Sequence, residues 1–336
     1  MCDIYGFLLY FLMLISLQFS ILKKNYLLLS IVLFFVIIIA AYRGTAGVDT
    51  SMYIMRFNGT CNFKDIPLIE FITPFIMWIA KYIGFGFGGF SIILGIFVGS
   101  LYLYIFKKIP GAIYFGLAMF PVIYIDSLFN GLRIGIAYPI IFLAIYYSSF
   151  ILFVLSFFSH VSSLLALPFI QKIPFQYLAL ILIGIVGYIT MSHINILDLL
   201  SERYISKFYR YQDMSTKNIY SGMADSTLLY TSLVIYLRAL EIKGKSFVKK
   251  SIMIFVAISF IHIFLISKFV FMLRIVRLYD IAIFALIAKN TKKIDKFSLY
   301  LSFIIGILYL LNFLRQINST CNYEIGGFLP LNFGLF

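Results

Sequence analysis

Apolar runs separated by short polar or basic joints set the pattern of this chain from its first residues. Ile4 to Leu22 is one such run and Tyr26 to Tyr42 the next, with only Lys23-Lys24-Asn25 between them. As helix, a run of about twenty residues crosses the roughly 30 Å hydrocarbon layer of a bilayer at 1.5 Å of rise per residue. The first run has no basic lead-in and no small-residue cleavage site, and a second follows at once, so it reads as a retained span rather than a signal peptide.

Lysine and arginine gather in four joints: Lys23-Lys24, Lys107-Lys108, Arg238 to Lys250 and Lys289 to Lys296. Short loops rich in these residues stay on the cytoplasmic side, which orients the runs between them. Tyr26 to Tyr42 leads outward, Phe90 to Phe106 returns, and Ala112 to Leu128 leads out again. Later, Leu228 to Leu240 enters, Ile252 to Ser267 exits, Phe269 to Ala288 enters and Ser298 to Leu314 exits. Outer segments then cover about 43–89 and 192–226, with an outer tail at 315–336.

Two stretches resist this scheme. Pro67 to Ile83 is apolar but carries Glu70, Pro74 and Lys81. A crossing there would put Lys107 outside, so the stretch is expected to lie at the outer interface or to re-enter, under a cover of protein. Between Arg133 and Ser192, both outside, lie three apolar stretches: Ile134 to Tyr147, Phe150 to Ile170 and Phe175 to Met191. One must fail to cross, and Phe150 to Ile170, turning near Ser159-His160, is the candidate. The pattern thus predicts an all-α integral membrane protein with one domain over 1–336. It is a polytopic bundle of about ten transmembrane helices, with one or two re-entrant or interfacial segments.

Composition agrees and excludes a soluble fold. Hydrophobic residues make up 62% of the 336 and charged ones 12%, with a mean hydropathy of +1.02. A soluble domain is about half apolar and a quarter charged, and here too little polar residue remains to cover the apolar surface. The net charge of +14 would suggest nucleic acid in a soluble protein. In this chain it comes from the loop lysines and arginines, and no nucleic-acid partner is expected. Cys2, Cys61 and Cys321 show no metal-ligand spacing, and the three histidines show no HExxH. Cys61 and Cys321 share the outer side, where a disulfide would persist. Gly84 to Gly89 spells GxGxxG, but it follows no strand and opens no βαβ unit.

The remaining charges gather at the outer surface. Arg43 leaves the second run and is followed by Gly44, Gly47, Asp49 and Tyr53; the last two are one helical turn apart. Glu70 lies on the interfacial stretch, where an apolar setting would raise its pKa. Arg133 opens a helix at Asn130-Gly-Leu-Arg133, and His160 lies in Ser159-His160-Val-Ser162. Arg274 and Arg277, three apart on one face, sit in an apolar run that continues to Tyr279-Asp280. Arg43 and Arg133 at helix ends are also what interfacial snorkelling produces, and a lone histidine is often a satisfied polar group. The two inner arginines are harder to dismiss. Each costs about 2.5–3.5 kcal/mol on insertion scales. Four arginines with few acids nearby in sequence suggest an anionic ligand, and guanidinium binds phosphate through a two-pronged fork.

The ordered set Arg43, Gly47, Asp49, Tyr53, Glu70, Asn130, Arg133, Ala137, His160, Ser162, Arg274 and Tyr279 resembles the EpsG-like membrane polysaccharide polymerases, which include O-antigen polymerases of the Wzy type. One departure is the short separation of Arg133 and His160, with no basic cytoplasmic turn between them. The resemblance implies a multi-pass protein of the bacterial inner membrane, with periplasmic outer loops. It implies transfer of a growing glycan from undecaprenyl pyrophosphate to a sugar hydroxyl of another lipid-linked repeat unit, in contact with membrane lipid and with a polysaccharide chain-length regulator as partner. Neither metal nor other cofactor is expected. Arg43, Arg133, Arg274 and Arg277 would then hold pyrophosphate, Glu70, Asp49 or His160 would take the hydroxyl proton, and Tyr53 and Tyr279 would bind sugar. An O-antigen ligase or a lipid-linked oligosaccharide flippase is the alternative from the same residues.

Overall fold

A computed structural model describes residues 4–42, 50–59, 66, 70–129, 131–170, 272–291 and 294–320. Its elements are α1 (Ile4–Leu22), α2 (Tyr26–Ala41), α3 (Thr50–Gly59), α4 (Ile72–Tyr82), α5 (Phe87–Lys108), α6 (Ala112–Ala118), α7 (Phe120–Phe129), α8 (Leu132–Tyr147) and α9 (Phe150–Ser159). A 3₁₀ turn (Val161–Ala166) and α10 (Leu167–Ile170) follow, then α11 (Met272–Asn290) and α12 (Lys296–Thr320). No strand occurs among the described residues.

The joints explain where helices stop. Lys24 takes a left-handed φ of 52°, and its N–H and that of Asn25 bond back to the carbonyls of Ile21 and Ser20, both at 3.0 Å. This closes α1 in the usual way for a left-handed cap. Asn25 then caps α2 by accepting the Leu28 N–H at 3.0 Å. α5, with 22 residues, is long and apolar enough to cross a bilayer. α4, with 11 residues, rises only about 16 Å and is too short to cross alone. α9 spans ten residues and stops at His160, whose backbone is extended at φ −157°. That is the break expected near Ser159-His160.

The segment Ala112 to Leu128 is not one straight helix. It is broken into α6 and α7, bent by 67° about Met119. Pro121 has no N–H for the Leu117 carbonyl four residues back, and its ring pushes that carbonyl aside. Gln18 of α1 supplies the missing donor, its Nε2 bonding Leu117 O at 2.8 Å in a buried position. α12 crosses the same point at Gly306, where a Cβ would lie 2.0 Å from Leu117 O and 2.3 Å from Gln18 Nε2. Only glycine lets that helix pass.

α12 also runs on to Thr320, so Arg315, expected to begin the outer tail, is still helical. Phe175 to Met191, the loop Ser192 to Ser226, Leu228 to Leu240, Ile252 to Ser267, and Cys61 and Cys321 lie outside the described residues. The expected ten crossings extend over them.

The core is aromatic. Phe120 meets Phe106 at 4.7 Å and Tyr102 at 4.8 Å between ring centroids, and Phe115 meets Phe142 at 5.3 Å and Phe284 at 6.0 Å. These contacts gather α5, α6, α7, α8 and α11. Outward, large apolar side chains such as Leu27, Phe34, Phe35 and Ile96 stand exposed, as helices surrounded by lipid require. Among the described residues the fold is all-helical, and α5 is long and apolar enough to cross a membrane.

Candidate functional site

Four helix ends converge beside the α7–α8 turn. Gly131 N–H bonds Asp126 O at 3.1 Å and closes that turn, so α8 opens at Leu132 with Arg133 in its first turn. α3 is fastened to the same place, because the Thr50 hydroxyl donates to Phe129 O at 3.3 Å. One turn along α3, the buried Tyr53 places its hydroxyl 3.5 Å from both the backbone N and the Nε of Arg133. The guanidinium carbon lies 6.0 Å from the Tyr53 ring centroid. Lys81 ties α4 to α3 by donating to Asn58 O at 2.8 Å and lying 5.3 Å over Phe57. Phe71 meets Phe158 edge-on at 5.2 Å, which brings the start of α4 to the end of α9.

Glu70 sits in the turn before α4, between Arg133 and His160. Arg133 Nη1 donates to Glu70 Oε2 in an ion pair. Glu70 Oε1 accepts the Val161 N–H at 3.3 Å and lies 3.8 Å from His160 Nε2. On the far side of the ring, His160 Nδ1 accepts from the Ser162 N–H at 3.2 Å and from the Ser162 hydroxyl at 2.6 Å. A backbone N–H can only donate, so Nδ1 is an acceptor and the neutral imidazole carries its proton on Nε2, toward Glu70. Arg133 spends Nε on Tyr53 and Nη1 on Glu70. Its Nη2 has no partner among the described residues.

Two features mark Glu70 as held rather than resting. Its φ is 58°, and the other non-glycine residues with positive φ among the described residues, Lys24 and Ser148, both close helices, where that conformation is ordinary. Glu70 precedes a helix, and such a backbone costs about 1–3 kcal/mol unless its surroundings hold it. The second feature is electrostatic, and here the sequence expectation is overturned. Burial pushes the carboxyl up, but Arg133 first, then His160 and the Val161 N–H, outweigh it, and the group lies below its usual 4.5. The apolar setting read from the sequence is real; the arginine 63 residues away could not be placed from it.

A second arginine–carboxylate pair joins α7 to α11, with Arg277 Nη1 donating to Asp126 Oδ2. Asp126 was not among the residues that the sequence pattern singled out, because it lies in what reads as a plain span. Applying to it the insertion cost used for Arg274 and Arg277 would have found it. Arg133 and Arg277 therefore each have a carboxylate at hand, contrary to the inference from nearby sequence. Arg274 lies on α11 three residues before Arg277. Arg43 and Asp49 lie outside the described residues.

Tyr53, expected to bind sugar, is 2% exposed and spends its hydroxyl on Arg133, and Tyr279, expected to do the same, is 4% exposed, its ring 5.7 Å from that of Phe169. Both rings pack against protein in this arrangement.

Compared with known protein families, residues 26–333 match the EpsG family. No curated protein and no solved structure matches the chain.

Proposed function

The chain belongs to the EpsG family, a membership that points to a membrane protein of polysaccharide biosynthesis, and on that footing we propose that it is a glycan polymerase of the bacterial inner membrane. It transfers a growing glycan from undecaprenyl pyrophosphate to a sugar hydroxyl of another undecaprenyl-pyrophosphate-linked repeat unit at the periplasmic face. The observation that carries this reading is the Arg133 guanidinium, aimed by Tyr53 and Glu70 with Nη2 unengaged among the described residues, beside Glu70 Oε1 and His160 Nε2, which lie 3.8 Å apart.

In the reaction, the acceptor hydroxyl oxygen bonds C1 of the donor sugar as the bond from C1 to the pyrophosphate oxygen breaks. The bonding pair leaves with undecaprenyl pyrophosphate, and the hydroxyl proton passes to a base. Arg133 Nη2 stabilises the charge that grows on the leaving group. His160 Nε2 and Glu70 Oε1 are too far apart to bond each other fully and close enough for one hydroxyl to touch both. The imidazole N–H orients that hydroxyl and Glu70 takes its proton. A carboxylate below its usual pKa is a weak base, but the transition state is oxocarbenium-like. The hydroxyl becomes strongly acidic as its oxygen bonds C1, so a weak base suffices. Asp49, next to Thr50 in sequence, is the other carboxylate suited to that role, and Arg43 and Arg274 would add charge against pyrophosphate.

Lipopolysaccharide from a deletion strain tests the reading. A core bearing a single repeat unit, restored to a ladder by the wild-type chain, is the expected result. A bare core would overturn it in favour of a ligase or flippase.

A further inference from the structure

We propose a second anion site, at the opposite end of the bundle: a cavity between the α1–α2 joint and the end of α5 that holds the phosphate of an anionic phospholipid. α5 begins beside α3, where Phe87 meets Phe57 at 6.0 Å. It ends at Lys107 and Lys108, about 30 Å away at 1.5 Å per residue. There a cavity of about 150 Å³ is lined by Lys24, Lys107, Tyr26, Ile21, Leu29 and Phe106, among others.

Its size sets the ligand class. It has the volume of about five water molecules of liquid, which suits a phosphodiester. It is well below the roughly 300–1,000 Å³ of a pocket for a drug-sized ligand, so an oligosaccharide does not fit. Its charge sets the sign. Neither Lys24 nor Lys107 has an ion-pair partner among the described residues. α2 starts at the cavity and adds the positive end of its dipole. The carbonyl end of α5 opposes an anion there, but the Tyr26 hydroxyl donates to Phe106 O at 3.2 Å and occupies one of those carbonyls.

Two observations favour lipid over a free anion. The wall is half apolar in kind, through Ile21, Leu29 and Phe106. Beside Tyr26, the exposed side chains of Leu27, Ile31 and Phe34 follow one another at helical spacing down α2, an apolar track for acyl chains. Basic pockets between transmembrane helices on the cytoplasmic side bind anionic headgroups in this way. The proposal rests on the reading that the lysine joints face the cytoplasm. It does not rest on glycan transfer.

Lys23 and Lys108 supply the control. Lys23 lies 5.6 Å over the Phe19 ring, and neither residue lines the cavity. The purified chain in detergent would be titrated with phosphatidylglycerol, phosphatidylcholine or inorganic phosphate, with thermal unfolding and retained lipid in native mass spectrometry as readouts. Phosphatidylglycerol should bind and protect, and the other two should not. K24Q/K107Q should weaken that binding about 10- to 30-fold, the effect of two lysines near a headgroup, while K23Q/K108Q, which removes the same charge, should bind as wild type. If K24Q/K107Q does not accumulate, Lys107→Glu alone, on an exposed side chain, should show the same loss. Equal loss in the control pair would mean a diffuse basic surface, and equal protection by phosphatidylcholine would mean no headgroup site. Full protection by inorganic phosphate would mean a soluble anion site. Each of these overturns the proposal.

Discussion

Two arginine–carboxylate pairs lie at the same end of this bundle and differ in what surrounds the carboxylate. Asp126 and Arg277 both stand on helices, and their ion pair ties α7 to α11. Glu70 stands off the helices, on a turn with φ 58°. It shares one oxygen with Arg133 and turns the other toward a histidine whose proton is placed by Ser162. A pair that only joins helices needs neither a strained backbone nor an oriented imidazole. The Glu70 pair has both, so we assign chemistry to it and assembly to the Asp126 pair.

The largest expected effect separates the two directly. Arg133→Lys keeps the charge but loses the fork, and long-chain polymer should fall by about 10²–10³, the loss of roughly 2.7–4 kcal/mol of stabilisation of a developing anion. Arg277→Lys, which can still pair with Asp126, should slow polymerisation less than about tenfold, a change of 1.4 kcal/mol or less. Glycan ladders at matched protein levels read both; equal loss in the two variants would erase the distinction.

Next in size is stability. Asp126→Asn leaves the Arg277 guanidinium at the α7–α11 contact without its anion, and should lower unfolding stability in detergent by about 1–3 kcal/mol. The side chains are 12% and 21% exposed, so the loss stays below the 3–5 kcal/mol of a fully buried pair. Removing both charges, in D126N/R277Q, should recover part of it. If D126N unfolds like wild type but makes no polymer, Asp126 belongs with the chemistry instead.

A smaller effect concerns pH. The Glu70 pKa is lowered on folding, so the unfolded chain binds its proton more readily. The stability of the ion pair is then present above the usual carboxylate value of 4.5 and is lost as pH falls through the lower, folded value. Thermal unfolding of wild type against Glu70→Gln should show a wild-type advantage that is flat from pH 8 to about 5 and disappears in stronger acid. A contribution that instead grows as pH falls from 7 to 5 would mean that burial outweighs Arg133.

The smallest effect is expected of Ser162→Ala, which removes the 2.6 Å hydroxyl bond to His160 Nδ1 but keeps the backbone N–H. The tautomer survives, and the cost should be about 0.5–1.5 kcal/mol, at most roughly tenfold in rate. A loss as large as that of R133K would make the hydroxyl itself a reacting group.

Local features of this arrangement were readable in the sequence, and distant ones were not. Arg133 at a helix start and the break at His160 follow from Gly131 and from the polar Ser-His-Val-Ser joint in apolar surroundings. The shortness of α4 follows from Glu70, Pro74 and Lys81 around one apolar stretch. Pairings across 63 and 151 residues leave no local trace, so Glu70 seemed to stand in an apolar setting and Arg277 to lack an acid. The kink at Met119 was half visible. Pro121 announces a broken ladder, but only Gln18 and Gly306, from the first and last described helices, show how the break is accommodated.

The central claim is that this chain itself lengthens glycan on a lipid pyrophosphate, using Arg133. The most direct measurement reconstitutes the purified protein in vesicles with undecaprenyl-pyrophosphate-linked repeat units and no nucleotide sugar. Our account predicts a ladder of longer lipid-linked glycans, with one undecaprenyl pyrophosphate released for each bond formed, and no ladder with R133K that folds and inserts like wild type. Unchanged repeat units with the wild-type protein, or an equal ladder with R133K, would contradict it.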